Sequence, residues 1–178
     1  SSRMNVKAIF GIAVAALLFA VSGHAGAAGE TATAEIKLAD GSIAGTVAMT
    51  DLAAGVLLKL DLKGLSPGSH GFHVHETGKC DGDFTSAGAI YNPLGAKHGF
   101  INEEGPMAGD LPNVVAAPDG TARAEIITPY LHLNKDTDDT LFDPDGSALV
   151  IYEKADDYQT DPEGGGDKRI GCGVIKSP

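Results

Sequence analysis

Short stretches in which apolar and polar residues alternate fill most of the chain after residue 28. A period of two is typical of β-strands that bury one face, because successive side chains point to opposite sides. In the stretch 55–65, for example, Leu58, Leu60 and Leu62 share one face, and a Ser-Pro-Gly turn signal follows. The pattern predicts strands at 31–39, 42–52, 55–65, 71–75, 121–133, 147–155 and 170–175.

Two long stretches do not show this alternation. Residues 76–112 are rich in Gly, Asn and Pro, and residues 156–168 are polar and glycine-rich; we call them the first and the second long loop. Loops of this length inside a compact domain usually carry function or are covalently tied. Many short strands joined by turns predict an all-β protein, an antiparallel sandwich or barrel.

The N-terminal residues read as an export signal. After Met4 come Lys7, an apolar run from 8 to 21, and the small residues Ala25-Gly26-Ala27. These are the three parts of a secretory signal peptide, and the run is short for a membrane anchor of ~20 residues. We therefore expect residues 1–28 to be removed and residues 29–178 to form one domain, in a periplasmic or secreted protein.

The charge of the expected mature chain is strongly negative. The full sequence has 13 Lys+Arg and 24 Asp+Glu; removing Arg3 and Lys7 leaves 13 − 2 = 11 basic residues, a net charge of 11 − 24 = −13. Such a surface disfavours nucleic acid and anionic membrane as partners. The two cysteines, Cys80 and Cys172, are expected to form a disulfide in an exported protein; without a C-x-x-C pattern, a pair of thiolate metal ligands is the weaker alternative.

The candidate chemistry begins with His73 and His75 in GFHVHETGKC. Residues two apart on a strand face the same side, so both imidazoles could bind one metal ion. The motifs GFHVHETGKCD, SAGAIYNPLGAKHG, GDLPNV, SALVIYEKADD and KRIGCGVI occur here in the order seen in copper/zinc superoxide dismutases. The chain therefore resembles that family over essentially all of residues 29–178.

The resemblance implies a fold and a ligand set. The family fold is an eight-stranded, flattened Greek-key barrel, an immunoglobulin-like sandwich, with a metal-binding loop and an electrostatic loop where the two long loops lie. Of the family's four copper histidines, this chain keeps His73 and His75, whereas the bridging histidine is Ile90 and the last is Tyr152.

The zinc ligands are also half replaced. His98 and Asp110 remain, but Met107 occupies the slot of another zinc histidine, and Ile90 removes the ligand shared with copper. The spacing from His75 to Asp110 is the same as in the family, which indicates true substitutions within a preserved scaffold. The resemblance further implies a Cys80–Cys172 disulfide, an anion-guiding role for Arg169, and a role for Asp156 in joining the two metal sites.

Several residues keep two interpretations at this stage. Tyr152 could bind Cu(II) or Fe(III) as a phenolate or pack in the space of the lost imidazole, and packing is favoured. Met107 could bind Cu(I) or act as filler. His98 and Asp110 could hold zinc or only hydrogen-bond to order the loop. His73 and His75 could persist as packed histidines.

Three functions are compatible with these residues. The first, which we favour, is an exported protein that binds copper or another metal through His73 and His75, with little or no dismutase activity. The second is an active superoxide dismutase with an altered or copper-only centre, and the third is an interaction module that ignores metal. Copper is the expected cofactor, zinc the second candidate and iron a disfavoured one; the expected partners are metal ions, superoxide if the protein is active, and a second copy in a homodimer.

Overall fold

The computed structural model describes residues 29–178, so the expected signal peptide lies outside the described residues. Nearly all regular structure is β, which confirms the predicted all-β class. The elements are β1 Thr31–Leu38, β2 Ile43–Leu52, β3 Gly55–Leu62, β4 Gly68–His70, β5 Phe72–His75, a 3₁₀ turn Thr85–Ala87, β6 Val114–Ala116, β7 Ala122–Thr128, β8 Ala148–Tyr152 and β9 Arg169–Val174.

Seven strands form one curled antiparallel sheet in the order β5-β8-β9-β1-β2-β3-β7. The period-two pattern of the sequence sets its inner face. On β1, Ala32, Ala34 and Ile36 are buried while their neighbours are exposed or only partly buried, and on β3 Leu58 and Leu60 lie in the same core. Burial of these side chains, worth roughly 1.5–3 kcal/mol for each leucine, holds the sheet around its core.

The described residues contain nine strand segments, where the family resemblance implied eight. The extra segment arises at Gly71, where the chain leaves one sheet for another: β4 pairs with β6, and β5 pairs with β8. The Gly71 amide donates to the Lys154 carbonyl, and the Tyr152 amide donates to the Gly71 carbonyl, so the switch point is itself anchored to β8.

Three predicted strands are too long. The strands predicted at 55–65 and 147–155 end at Leu62 and Tyr152, and the largest difference is at β7. The alternation at 121–133 predicted a strand through residue 133, but β7 ends at Thr128. Pro129 follows, and it lacks the amide hydrogen that would continue the ladder. The two long loops are irregular as predicted, apart from the short 3₁₀ turn.

A disulfide ties the first long loop to the sheet. Cys80 in the loop is bonded to Cys172 on β9, which confirms the predicted bridge. Cys172 packs in a small second core with Phe84, Val150 and Tyr152, directly beside the predicted metal site. No helix among residues 29–178 is long and apolar enough to span a membrane.

Candidate metal centre

Six of the predicted site residues meet in one buried cluster. β5 supplies His73 and His75, β8 supplies Tyr152, and the long loops supply His98, Asp110 and Asp156; all six are buried. Isolated bridges hold the first long loop against β5, pairing His73 with Asp110 and His75 with Ile90. The long-range register that the sequence could only imply is therefore present.

His98 lies between two carboxylates. Its Nε2 is 2.8 Å from Asp156 Oδ1, and its Nδ1 is 2.8 Å from Asp110 Oδ1. The contact with Asp156 is a hydrogen bond. The contact with Asp110 is close but is not aligned with the ring N–H direction. Among the described residues, His98 Nδ1 and Asp110 Oδ1 therefore have no hydrogen-bond partner. Burial alone would lower the pKa of His98, but the two carboxylates outweigh it and raise the pKa to about 10.

Backbone amides hold both carboxylates in place. Asp110 Oδ2 accepts from the amides of Gly99 and Met107, each at 2.9 Å, which leaves Oδ1 directed at the imidazoles. Asp156 Oδ1 accepts from the Tyr158 amide at 2.7 Å. The Asn113 side chain accepts from the Asp156 amide through its Oδ1 and donates to the Asp156 carbonyl through its Nδ2. The sequence analysis considered Met107 only through its side chain, and it assigned no role to the backbone amides of Gly99 and Tyr158.

His73 is buried without a hydrogen bond. Its Nδ1 is 3.6 Å from Asp110 Oδ1 and its Nε2 is 3.5 Å from Asp156 Oδ2, and neither contact meets hydrogen-bond geometry within the described part of the chain. Burial, with the neighbouring His75, His98 and Arg169, lowers the pKa of His73 well below its usual value. A neutral imidazole carries hydrogen on only one nitrogen, so the other presents a lone pair to a carboxylate oxygen.

His75, in contrast, has both nitrogens occupied. Its Nδ1 lies 2.8 Å from the Gly88 carbonyl, which can only accept, so Nδ1 carries the hydrogen. Its Nε2 is then an acceptor, and the Tyr152 hydroxyl donates to it at 3.0 Å. Burial lowers the pKa of His75 to about 3, to which Arg169 also contributes. His75, one of the two expected copper ligands, therefore has no nitrogen lone pair free to bind a metal ion.

Tyr152 fills the slot of the last copper histidine as a packed aromatic side chain. Its ring is fully buried, and Gly166 lies so close that an added Cβ there would be 2.8 Å from the ring. Burial raises the pKa of the phenol well above its usual value. The geometry therefore supports packing and hydrogen bonding, the interpretation that the sequence favoured.

Arg169 is engaged by two partners. Its Nη1 donates to the Phe84 carbonyl at 3.0 Å, its Nη2 donates to Glu163 Oε1 at 2.9 Å, and its guanidinium carbon lies 5.9 Å from the Tyr152 ring centre. Glu163 was missed by the sequence reasoning, since acidic residues are common throughout the second long loop. The guanidinium charge is thus paired at the edge of the site.

The other substituted or unassigned positions are structural. Ile90 is buried beside His75, and Met107 is half-buried and contributes its amide to Asp110. His70 contacts the carbonyls of Tyr152 and Ser66 through its two nitrogens. His132 lies away from the cluster and pairs with Asp51.

The second long loop approaches the cluster through Gly164. This residue has a φ of +67°, and a Cβ there would lie 1.8 Å from Asp156 Oδ1 and 2.7 Å from His98 Nε2. Gly164→Ala is therefore expected to displace these groups and to destabilise the protein by at least ~2 kcal/mol, measured by urea unfolding. The matched control is Gly165→Ala, where φ is +74° but no atom lies within 4 Å, so only the backbone cost of about 1 kcal/mol applies. Equal losses in the two variants would contradict the close approach.

The unpartnered buried atoms fit a cation. Among the described residues, those at the cluster without a hydrogen-bond partner are both nitrogens of His73, His98 Nδ1, Asp110 Oδ1 and Asp156 Oδ2. Donor atoms of His73, His98 and Asp156 also lie within 4.8 Å of one another. Buried polar atoms of this kind are costly unless something binds them, and imidazole with carboxylate suits borderline divalent ions.

Comparison with known proteins agrees with this geometry. The sequence profile described as "Copper/zinc superoxide dismutase (SODC)" matches residues 43–175. Superoxide dismutase [Cu-Zn] of Caulobacter vibrioides is 47% identical over 149 residues, covering 82% of this chain and 86% of the relative. Superoxide dismutase-like protein YojM of Bacillus subtilis is 43% identical over 123 residues, covering 68% of this chain and 63% of the relative.

Solved structures give the same result. The crystal structure of a SOD-like protein from Bacillus subtilis superposes with a TM-score of 0.77 at 38% identity, covering 80% of this chain and 96% of that one. Cu/Zn superoxide dismutase from Brucella abortus superposes with a TM-score of 0.67 at 30% identity, covering 83% and 100%. These matches confirm the predicted superoxide-dismutase-like fold, and the chain belongs to the copper/zinc superoxide dismutase family.

Proposed function

We propose that residues 29–178 form an exported, superoxide-dismutase-like protein that binds copper at His73 and has little or no dismutase activity. The observation that carries the proposal is the buried His73 imidazole, which has no hydrogen-bond partner among the described residues and has carboxylates on both sides. A lone pair that faces a carboxylate is repulsive, and a bound cation turns the same arrangement into an attractive one. The sequence predicted that His73 and His75 bind copper together. Both nitrogens of His75 are hydrogen-bonded, to Gly88 and Tyr152, so we propose His73 as the copper ligand.

Asp156 supports this role of His73. Its Oδ2 faces His73 Nε2, and its Oδ1 bonds to His98 Nε2. A carboxylate in this position fixes the tautomer of a metal-binding imidazole and leaves the other nitrogen free to bind the ion. Copper would supply the redox or electron-accepting chemistry, zinc is the second candidate ion, and iron is disfavoured.

The replaced residues argue for low dismutase activity. Ile90 has no donor atom and cannot carry a proton, and it lies buried in the slot of the bridging histidine. The Tyr152 hydroxyl donates a hydrogen bond to His75 Nε2, and Glu163 forms an ion pair with Arg169. At the cluster, the described residues thus provide neither a free proton-carrying bridge nor a free guanidinium for a small anion.

Export is part of the same proposal. The N-terminal pattern, the Cys80–Cys172 disulfide and the acidic composition all suit a periplasmic or secreted protein. Disulfides persist in such oxidising compartments and are rare in the cytosol.

Metal content after isolation from the exported fraction tests the proposal. We expect about one copper ion per chain, loss of that copper in His73→Ala, and a dismutase rate no higher than that of the same amount of free copper salt. His132→Ala is the matched control, because His132 is a partly exposed histidine paired with an aspartate outside the cluster. Failure to bind metal at micromolar copper would refute the proposal.

An active dismutase with an altered centre is the second candidate function. It is favoured by Asp156, which contacts both His73 and His98 and so keeps the two halves of the site connected. Turnover by the copper-loaded protein well above that of free copper salt would support it. The Ile90→His/Tyr152→His double variant should then gain further activity, since only ligands would be missing.

A further inference from the structure

We propose that the ion pair between Glu163 and Arg169 is a latch that holds the second long loop closed over the buried cluster. The loop must open before a metal ion can enter or leave, so Glu163 sets the rate of metal exchange. This effect on metal exchange rests on the proposed function, whereas the opening of the loop can be measured in the metal-free protein. Glu163 is not one of the metal-ligand positions that the family resemblance supplied.

The cluster is closed to solvent. Each of its six residues is at most 4% exposed: His73, His75, His98, Asp110, Tyr152 and Asp156. Among the described residues, such burial leaves no open path for a hydrated ion to the donor atoms. Part of the protein around the cluster therefore has to move before an ion can bind.

The second long loop covers the cluster with a single layer of backbone. Gly164 and Gly166 are buried against the cluster, whereas Gly165 between them is exposed. An added Cβ would lie 1.8 Å from Asp156 Oδ1 at Gly164 and 2.8 Å from the Tyr152 ring at Gly166. No side chain interlocks with the cluster at these three positions, and glycine backbone adopts many conformations, which suits a segment that opens.

The other sides of the cluster are held more firmly. His73 and His75 lie on β5 within the seven-stranded sheet, and the Cys80–Cys172 disulfide ties the first long loop to that sheet. Residues 162–168, which we call the cover segment, contain no cysteine. The cover segment is therefore the part of the surroundings that can open locally.

Backbone hydrogen bonds close the cover segment onto the neighbouring chain. The Gly164 carbonyl accepts from the Asp157 amide at 3.0 Å, and the Gly166 carbonyl accepts from the Lys154 amide at 2.9 Å. Both bonds break when the segment lifts, because their acceptors belong to the segment and their donors do not. The two amides therefore report on its opening.

Glu163 makes the most buried side-chain ion pair of the cover segment. Its Oε1 lies 2.9 Å from Arg169 Nη2, and the Glu163 and Arg169 side chains are only 33% and 13% exposed. Arg169 is itself fixed at the start of β9 and by a hydrogen bond to the Phe84 carbonyl, so Glu163 is the partner that moves. The pair between Lys154 and Asp167 is more exposed, and pairs of that kind contribute little.

Amide hydrogen exchange in the metal-free chain tests the latch. Glu163→Gln removes the charge of the latch and keeps the size of the side chain. We expect exchange at the Lys154 and Asp157 amides to accelerate by roughly 5–30-fold, the usual effect of losing one partly buried charged contact. Exchange at the Tyr152 amide, which donates to the Gly71 carbonyl on another side of the cluster, should not change.

Asp167→Asn is the matched control. It removes one negative charge from the same cover segment but leaves the pair between Glu163 and Arg169 intact. Its amide exchange should equal that of the wild type. Exchange in Glu163→Gln that equals the wild type, or that accelerates equally in both variants, would overturn the latch.

Copper kinetics test the consequence for metal exchange. Cu(II) alone is mixed with the metal-free protein, release follows on addition of excess chelator, and the signal is the fluorescence of the four tyrosines, since the chain has no tryptophan. In Glu163→Gln, uptake and release should accelerate by the factor seen in amide exchange, which leaves the Kd unchanged. A change in electrostatic attraction alone would alter uptake equally in both variants and leave release unchanged, and this result would contradict the proposed effect on metal exchange.

The two measurements separate failure of the latch from failure of the proposed function. If the wild type binds no copper, the proposed function and the effect on metal exchange are both wrong, while amide exchange still decides whether the latch exists. Faster amide exchange in Glu163→Gln with unchanged copper uptake and release would show that the ion reaches the cluster by another route.

Discussion

Replacing Cys80 and Cys172 together by alanine is expected to lower the free energy of unfolding by about 4–5 kcal/mol at 25 °C. The disulfide joins residues 92 positions apart, so its removal releases a long loop in the unfolded chain. The disulfide that is lost lies beside the buried cluster, because Cys172 packs with Phe84 and Tyr152. Urea unfolding of the oxidised wild type and of the variant measures the difference.

The same change can be made without substitution. The wild type unfolded in the presence of a strong thiol reductant should match the alanine variant, because both lack the covalent link. A variant within 1 kcal/mol of the oxidised wild type would show that the first long loop is held by its other contacts alone.

His98→Leu is expected to lower the free energy of unfolding by about 3–5 kcal/mol, the usual cost of breaking a buried ion pair. Leucine leaves the carboxylates of Asp110 and Asp156 buried without the imidazole that lies 2.8 Å from each. Urea unfolding in the presence of a chelator measures the effect in the metal-free protein. The matched control is His132→Leu, which removes a partly exposed histidine from Asp51 and should cost no more than about 1 kcal/mol.

The effect of His98 should also depend on pH with a defined sign. Its pKa is raised from an ordinary value near 6.5 to about 10, so the folded state binds the imidazole proton more tightly than the unfolded chain. The stabilisation is therefore complete below about pH 6.5 and is lost as the pH rises towards 10. A difference between wild type and His98→Leu that stays constant across this window would contradict the pairing.

Much of the sheet could be predicted from local sequence. The alternation is regular along β1 and from Leu58 to Leu62 of β3, because these stretches bury one face, whereas a bulge interrupts it near the start of β2. The overestimate of β7 came from an apolar run that continues past Pro129, where the backbone cannot continue the ladder. The split at Gly71 depends on which strands pair, and no local pattern reveals that.

The sequence predicted which residues come together at the candidate site, but not the hydrogen bonds that each side chain makes there. The spacing of His73 and His75 places both on β5, and their ring centres lie 6.4 Å apart. The state of each ring is decided by partners that are distant in sequence: Tyr152 is 77 positions from His75, and Asp156 is 58 positions from His98. Such contacts follow from the packing of both long loops, which residue types alone do not specify.

The ion pair between Arg169 and Glu163 has a consequence for how fast different ions reach the cluster. A free guanidinium would offer a local positive target on a chain whose formal net charge is −11, but here a carboxylate oxygen 2.9 Å away cancels it. The net negative charge is expected to slow the approach of anions and to speed that of divalent cations, and added salt should weaken both effects. We therefore expect divalent cations to reach the cluster faster than a small anion of equal concentration.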